Sequence, residues 1–244
     1  MSSTVVDSHP SLITMLVAIV DQPKRALRAA LEWHGAAVWL IPLLLMLLSS
    51  VPLAIVQVPY NKELAQQQLQ RQLQQLPDEQ RKEVAAQMET LTSTPVLIAG
   101  ALLGSSFGLL VGLAGQTLWL YLAALIVGGD VGFGRMWRLS VWSRLPYVVN
   151  WLAQAVFTMA AGRVVRYPGL SILVATGTLV QDTRNPLFAP LGNLDLFWLW
   201  HIALIAFGLS AAQLRRGIVV LLTLSYVVLG LAVQTVPAML FSGG

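Results

Sequence analysis

The chain has 244 residues, 56% of them apolar, and only 26 charged side chains, fifteen basic and eleven acidic. A soluble domain of this length carries about 60 charges, and its surface could not accommodate what a single core leaves over from so apolar a composition. A bilayer must be the solvent for much of the chain, which excludes a large catalytic domain. At about 20 apolar residues per crossing, four to six crossings fit.

Cysteine is absent, which removes disulfides, thiolate nucleophiles and Cys-containing metal sites. The net charge is +4, with basic residues in small groups between apolar runs, the densest being Lys24, Arg25 and Arg28. Such groups set membrane topology and touch anionic headgroups. The expected contact is therefore membrane lipid, with no nucleic acid.

Residues 11–20, SLITMLVAIV, are apolar for half the length of a crossing and read as interfacial or packed. Asp21 and Pro23 then signal a helix start. In PKRALRAALE, Ala26, Leu27, Ala30 and Leu31 oppose Lys24, Arg25, Arg28 and Glu32, which predicts an amphipathic helix lying on the membrane surface. Residues 1–35 thus form an N-terminal segment ahead of a membrane domain over 36–244.

The first crossing is expected over residues 36–58, which carry no charge, with kinks at Pro42 and Pro52. The long preceding segment, which contains acids, argues against a cleaved signal peptide. Residues 60–94 are the one hydrophilic stretch and hold nine glutamines. Leu64, Leu69, Leu73 and Leu76 recur at helical spacing, and Pro77 opens a second arm, predicting a helical hairpin.

Residues 95–127 form an uncharged run longer than a bilayer is thick. Gly100, Gly104, Gly108 and Gly112 follow one another at intervals of four, the spacing that lets two helix backbones approach closely. The stripe suits a homodimer face or a moving interface; ordinary packing within the chain is the simpler reading. Residues 128–144 read as a short polar connection. Their glycines lack the preceding strand and the Lys-Ser/Thr ending of a phosphate loop.

The third crossing is expected over 145–161, closed by Arg163 and Arg166. Residues 169–180, GLSILVATGTLV, are too short to cross and suit a re-entrant or interfacial segment. Asn193 or Asp195 starts a fourth crossing that stops at Arg215 and Arg216, and a fifth covers 217–240. The predicted fold class is an all-α polytopic integral membrane protein of five transmembrane helices, with an N-terminal amphipathic helix and an extracytoplasmic helical hairpin. Lys24, Arg25 and Arg28 before the first crossing, and basic groups at 135–144 and 215–216, place the N-terminus in the cytoplasm.

His201 is the one ionisable residue well inside a predicted crossing, and so a functional candidate. A single interhelical hydrogen bond is its simpler role. Asn150, Gln154 and Thr158 form a polar stripe on the third crossing, glue first and pathway second. Gln116 and Gln234 lie in the second and fifth. No HExxH pair, GxSxG elbow or intramembrane aspartate pair is present, so no catalytic, cofactor or metal residue is assigned.

In order, the segments DQPKRALRAAL, LPDEQR, GFGRMWRLSVWSRLPYVV and NPLFAPLGNLDLFWLWHIALIAFGLSAAQLRRGIVV resemble the bacterial branch of the Yip1 domain family. The resemblance spans about residues 12–236. It implies a five-span helical protein of the bacterial inner membrane, with a cytoplasmic N-terminus and no enzymatic activity, acting as an adaptor or accessory subunit. Eukaryotic relatives contact small GTPases of the Rab class in vesicle traffic, and some bacterial relatives look like partners of ABC-type exporters. The long glutamine-rich insert departs from the compact eukaryotic pattern and speaks against the GTPase role. A small transporter or channel subunit built on the polar stripe and His201 is the alternative.

Overall fold

A computed structural model describes residues 11–75, 77, 80, 81, 84, 91–177, 182 and 185–241. Among them all regular structure is helical: α1 (Leu12–Asp21), α2 (Pro23–Glu32), α3 (Ala37–Gln75), α4 (Thr94–Ile126), α5 (Phe133–Ser143), α6 (Pro146–Ala161), a 3₁₀ turn (Ser171–Val174), α7 (Phe188–Asn193), α8 (Leu196–Ala211) and α9 (Arg216–Phe241). Three of these contain stretches long and apolar enough to cross a membrane: Ala37–Arg71, Thr94–Ile126 and Arg216–Thr235. With 16 residues each, α6 and α8 reach about 24 Å, short of a hydrocarbon core of about 30 Å. The structure therefore supports three crossings by length, where the sequence predicts five.

The chain divides into two compact units, the first made of residues 1–44, 112–147 and 167–244, the second of 45–111 and 148–166. In the first unit the N-terminal helices close on α5 and α8. Ser11 caps α1 by accepting the Thr14 N–H on its Oγ at 3.2 Å, and Pro23 occupies the first turn of α2, where no N–H is needed. Ala26, Leu27, Ala30 and Leu31 are all buried, because α2 packs against α1, α5 and α8. This corrects the surface reading: the apolar face of α2 is covered by protein, so it cannot also lie on lipid.

Residues 133–143 also depart from expectation. They form helix α5, whose Met136, Leu139, Val141 and Trp142 are fully buried. The connection reads as polar because Arg135 and Arg138 interrupt it; yet Met136, Leu139 and Trp142 recur every third residue on one side, and the helix packs on α2 and α8. Arg138 serves that packing by donating from Nη2 to the Leu31 carbonyl at 2.8 Å, satisfying an orphan acceptor in the last turn of α2.

The start of α3 is pinned in the same way. Pro42 has no N–H, so the Val38 carbonyl loses its helical partner. The Trp142 indole supplies the missing donor, with Nε1 at 2.7 Å from that carbonyl. Near the other end of α8, Gly208 lies so close to Leu139 that an added Cβ would overlap it.

In the second unit, α3 runs on without a break into the glutamine-rich stretch, 39 residues in all, or about 58 Å. The first arm of the predicted hairpin is thus a continuation of the first crossing, because the run of Leu and Gln after Pro59 favours helix. The second arm falls largely outside the described residues. Gly162, at φ 61°, ends α6.

Many large apolar side chains are exposed. On α4, Leu103 and Phe107 are 71% and 70% exposed, and α9 presents Val220, Leu221, Leu224 and Val228. Patches of this extent would aggregate in water and are at home in hydrocarbon.

Candidate functional site: a polar cluster at a helix break

The sequence Arg144-Leu145-Pro146 interrupts the helical path between α5 and α6. Residues ahead of a proline disfavour helical geometry, and the local bonds tighten to i−3: Arg144 to Val141, Leu145 to Trp142, and Tyr147 to the Arg144 carbonyl. With Tyr147 bonded there, the Ser143 carbonyl has no helical acceptor role left. A buried carbonyl must find a donor, and this one finds His201.

His201 on α8 is buried. Its Nδ1 lies 2.8 Å from the Ser143 carbonyl and its Nε2 lies 3.1 Å from the Tyr226 hydroxyl. Tyr226 Oη in turn lies 3.3 Å from Gln116 Oε1, which accepts the Arg144 Nε–H at 2.8 Å. Gln116 Nε2 donates to Ser143 Oγ at 3.0 Å, and that hydroxyl donates to the Ser140 carbonyl at 3.1 Å. The rings of Tyr147 and Tyr226 flank the imidazole, with centroids at 5.5 and 5.7 Å. Four elements, α4, α5, α8 and α9, thus converge with the 144–147 break on one network.

Proton counting restricts what the network can do. A carbonyl only accepts, so Nδ1 carries a proton. On a neutral ring Nε2 must then accept, and Tyr226 donates to it. On a protonated ring Nε2 donates to Tyr226, whose single proton turns to Gln116. The same heavy-atom positions serve both states through one hydroxyl rotation. The geometry ties four helices to the break through partnered buried groups. It is not that of a hydrolase, because His201 meets the carbonyl of Ser143 while the hydroxyl is engaged elsewhere. Arg144 brings a fixed positive charge, held by Gln116, and no acid among the described residues forms an ion pair with it.

None of the other predicted residues takes part in the hydrogen bonds just given. Gln154 Nε2 donates to Asn150 Oδ1 at 2.8 Å, one turn away on α6, and Thr158 Oγ1 is buried with no partner among the described residues. The second unit holds a crevice of about 160 Å³ edged by Ser50, Gln57, Ser105 and Trp151, and none of the three stripe residues lines it. A Cβ at Gly100, Gly104 or Gly108 would meet nothing within 4 Å, whereas at Gly112 it would meet the Arg144 guanidinium at 3.0 Å. Ser143, Arg144 and Tyr226 escape a reading of the sequence; the proline two residues after Arg144 is the signal that could have found the break. Among the described residues no three His, Asp or Glu side chains gather.

The loops at 127–130 and 212–215, separate in sequence, line one polar crevice with Arg135. Together with the packing of α2 on α5 and α8, this gathers three basic groups of the chain in one unit.

The Yip1 domain matches residues 17–236, nearly the whole chain. The chain belongs to the Yip1 domain family. No curated protein and no solved structure matches it. Family and apolar helices together make it a membrane protein.

Proposed function

We propose that this Yip1 domain protein is a non-enzymatic adaptor or accessory subunit of the bacterial inner membrane, acting through helix contacts with other membrane proteins or with a second copy. An ABC-type exporter is one such partner that the family resemblance suggests. In this reading five helices cross, with α6 and α8 as short crossings, and the N-terminus faces the cytoplasm. The observation that carries it is the open glycine stripe: Gly100, Gly104 and Gly108 face space unfilled by the described residues, on a helix whose neighbours Leu103 and Phe107 are exposed. Such a face is suited to another helix, since packing in a membrane rests on close van der Waals approach.

The absence of native cysteine makes the test clean. A single cysteine at Gly104 should form a cross-link in native membranes, to a copy or to a partner identified by mass. Gly104→Leu and Gly108→Leu should abolish that complex and leave thermal stability of the purified chain unchanged. Partners retained by both leucine variants would overturn the reading.

The buried polar cluster around His201 favours one second reading, a small transporter or channel subunit. Ion or solute flux in proteoliposomes that disappears in His201→Gln would establish it against the adaptor.

A further inference from the structure

Between α1 and α2 runs an open groove of about 690 Å³, within the range of small-molecule sites. Its α1 wall carries Ile13 and Val17, 75% and 67% exposed. Its other lining includes Asp21, Arg25, Arg28 and Glu32. The apolar face of α2 is spent on the protein core, so α1 holds the apolar surface this hairpin has left for a bilayer.

The charges are arranged for a ligand of both signs. Arg28 and Glu32 stand four apart on α2, the spacing of an intrahelical ion pair, while Asp21 closes α1 and Arg25 lies in the first turn of α2. Neither pair closes among the described residues: Arg25 donates from Nη1 to Gln22 Oε1 at 3.2 Å, and Arg28 makes no polar contact there. Two guanidinium groups and two carboxylates therefore face one apolar-walled groove. Only residues 33–36 separate α2 from the start of α3, so the end of α2 stands within about 18 Å of the start of the first candidate crossing.

We propose that this groove binds a phospholipid with a primary-ammonium headgroup, its phosphate on Arg25 and Arg28, its ammonium toward Asp21 and Glu32, and an acyl chain along Ile13 and Val17. An anionic headgroup without an ammonium would satisfy the arginines and leave the acids facing phosphate. A quaternary ammonium would lack the N–H donors that carboxylates accept.

The test is native mass spectrometry of the delipidated full-length chain titrated with phosphatidylethanolamine, phosphatidylglycerol or phosphatidylcholine of the same acyl composition. Phosphatidylethanolamine should be retained best. Arg25→Gln with Arg28→Gln should weaken its retention by about tenfold or more, as loss of charge-assisted hydrogen bonds implies. Asp21→Asn with Glu32→Gln should remove the preference over phosphatidylglycerol. Lys24→Gln, outside the groove lining, should change neither, and unchanged thermal stability of each variant shows that the fold is kept. Equal retention of all three lipids, a preference for phosphatidylglycerol, indifference to the arginine pair, or a second copy of the chain occupying the face would each overturn the proposal.

Discussion

His201 illustrates how little a residue's type says about its role. In the sequence it is a lone histidine in an apolar run; in the fold it satisfies a carbonyl released 58 residues away. His201→Leu should cost about 1–3 kcal/mol, because it leaves the Ser143 carbonyl buried without a donor. His201→Gln retains a donor and should cost less. Chemical denaturation in detergent separates the two, and equal losses would mean that packing, not the hydrogen bond, holds the residue. Gly208 makes the complementary point. Glycines at intervals of four attract attention on α4, yet three of them have open space, while Gly208, with no pattern around it, abuts the fully buried Leu139. Gly208→Ala should destabilise by overpacking, by about 1–3 kcal/mol, seen as a lowered thermal midpoint.

Among the elements, α3 and α5 are coupled through a proline. Trp142→Phe keeps the aromatic bulk and removes the indole N–H that serves the Val38 carbonyl opposite Pro42. The expected loss is about 1–3 kcal/mol, and restoring the helical N–H with Pro42→Ala should recover much of it. A double-mutant cycle by denaturation checks this; additive losses would contradict the coupling. In the segment between α6 and α8, the Thr176 backbone N–H at 2.5 Å and its hydroxyl at 2.8 Å both bond Asp182 Oδ1. These bonds hold the Asp182 carboxyl below its ordinary range. A folded-state value below the unfolded one stabilises above the ordinary aspartate range, and the contribution is lost as pH falls through the lowered value. Protection of the Thr176 amide, its exchange rate relative to the intrinsic rate at the same pH, should therefore hold at neutral pH and fall only in strong acid, and Asp182→Asn should remove that dependence.

For the whole molecule, the number of crossings is the question that length leaves open, since α6 and α8 are shorter than a bilayer core. The two alternatives differ in where the connection after α6 lies. Arg163→Cys, in a chain otherwise free of cysteine, should react with an impermeant maleimide from outside if five helices cross with the N-terminus in the cytoplasm. A cysteine within residues 128–134 should be protected. Protection at Arg163 with labelling only after permeabilisation would mean that α6 and α8 do not cross.

Composition and periodicity determined by themselves that this protein is helical, that it lives in a bilayer, and that Pro23–Glu32 is a helix opened by its proline, because hydropathy and proline geometry act over neighbouring residues. They also placed the start of α8, where Asp195 accepts the Trp198 N–H at 2.7 Å. Only the tertiary structure decided what covers each apolar face. The stripe of Ala26, Leu27, Ala30 and Leu31 reads the same whether lipid or α8 lies on it, and the mixed sequence of α5 hides a buried face. The cluster around His201 was illegible for the same reason. Its members lie up to 110 residues apart, and they meet because a helix break frees one carbonyl, an event whose cost is met only by groups that folding brings from elsewhere.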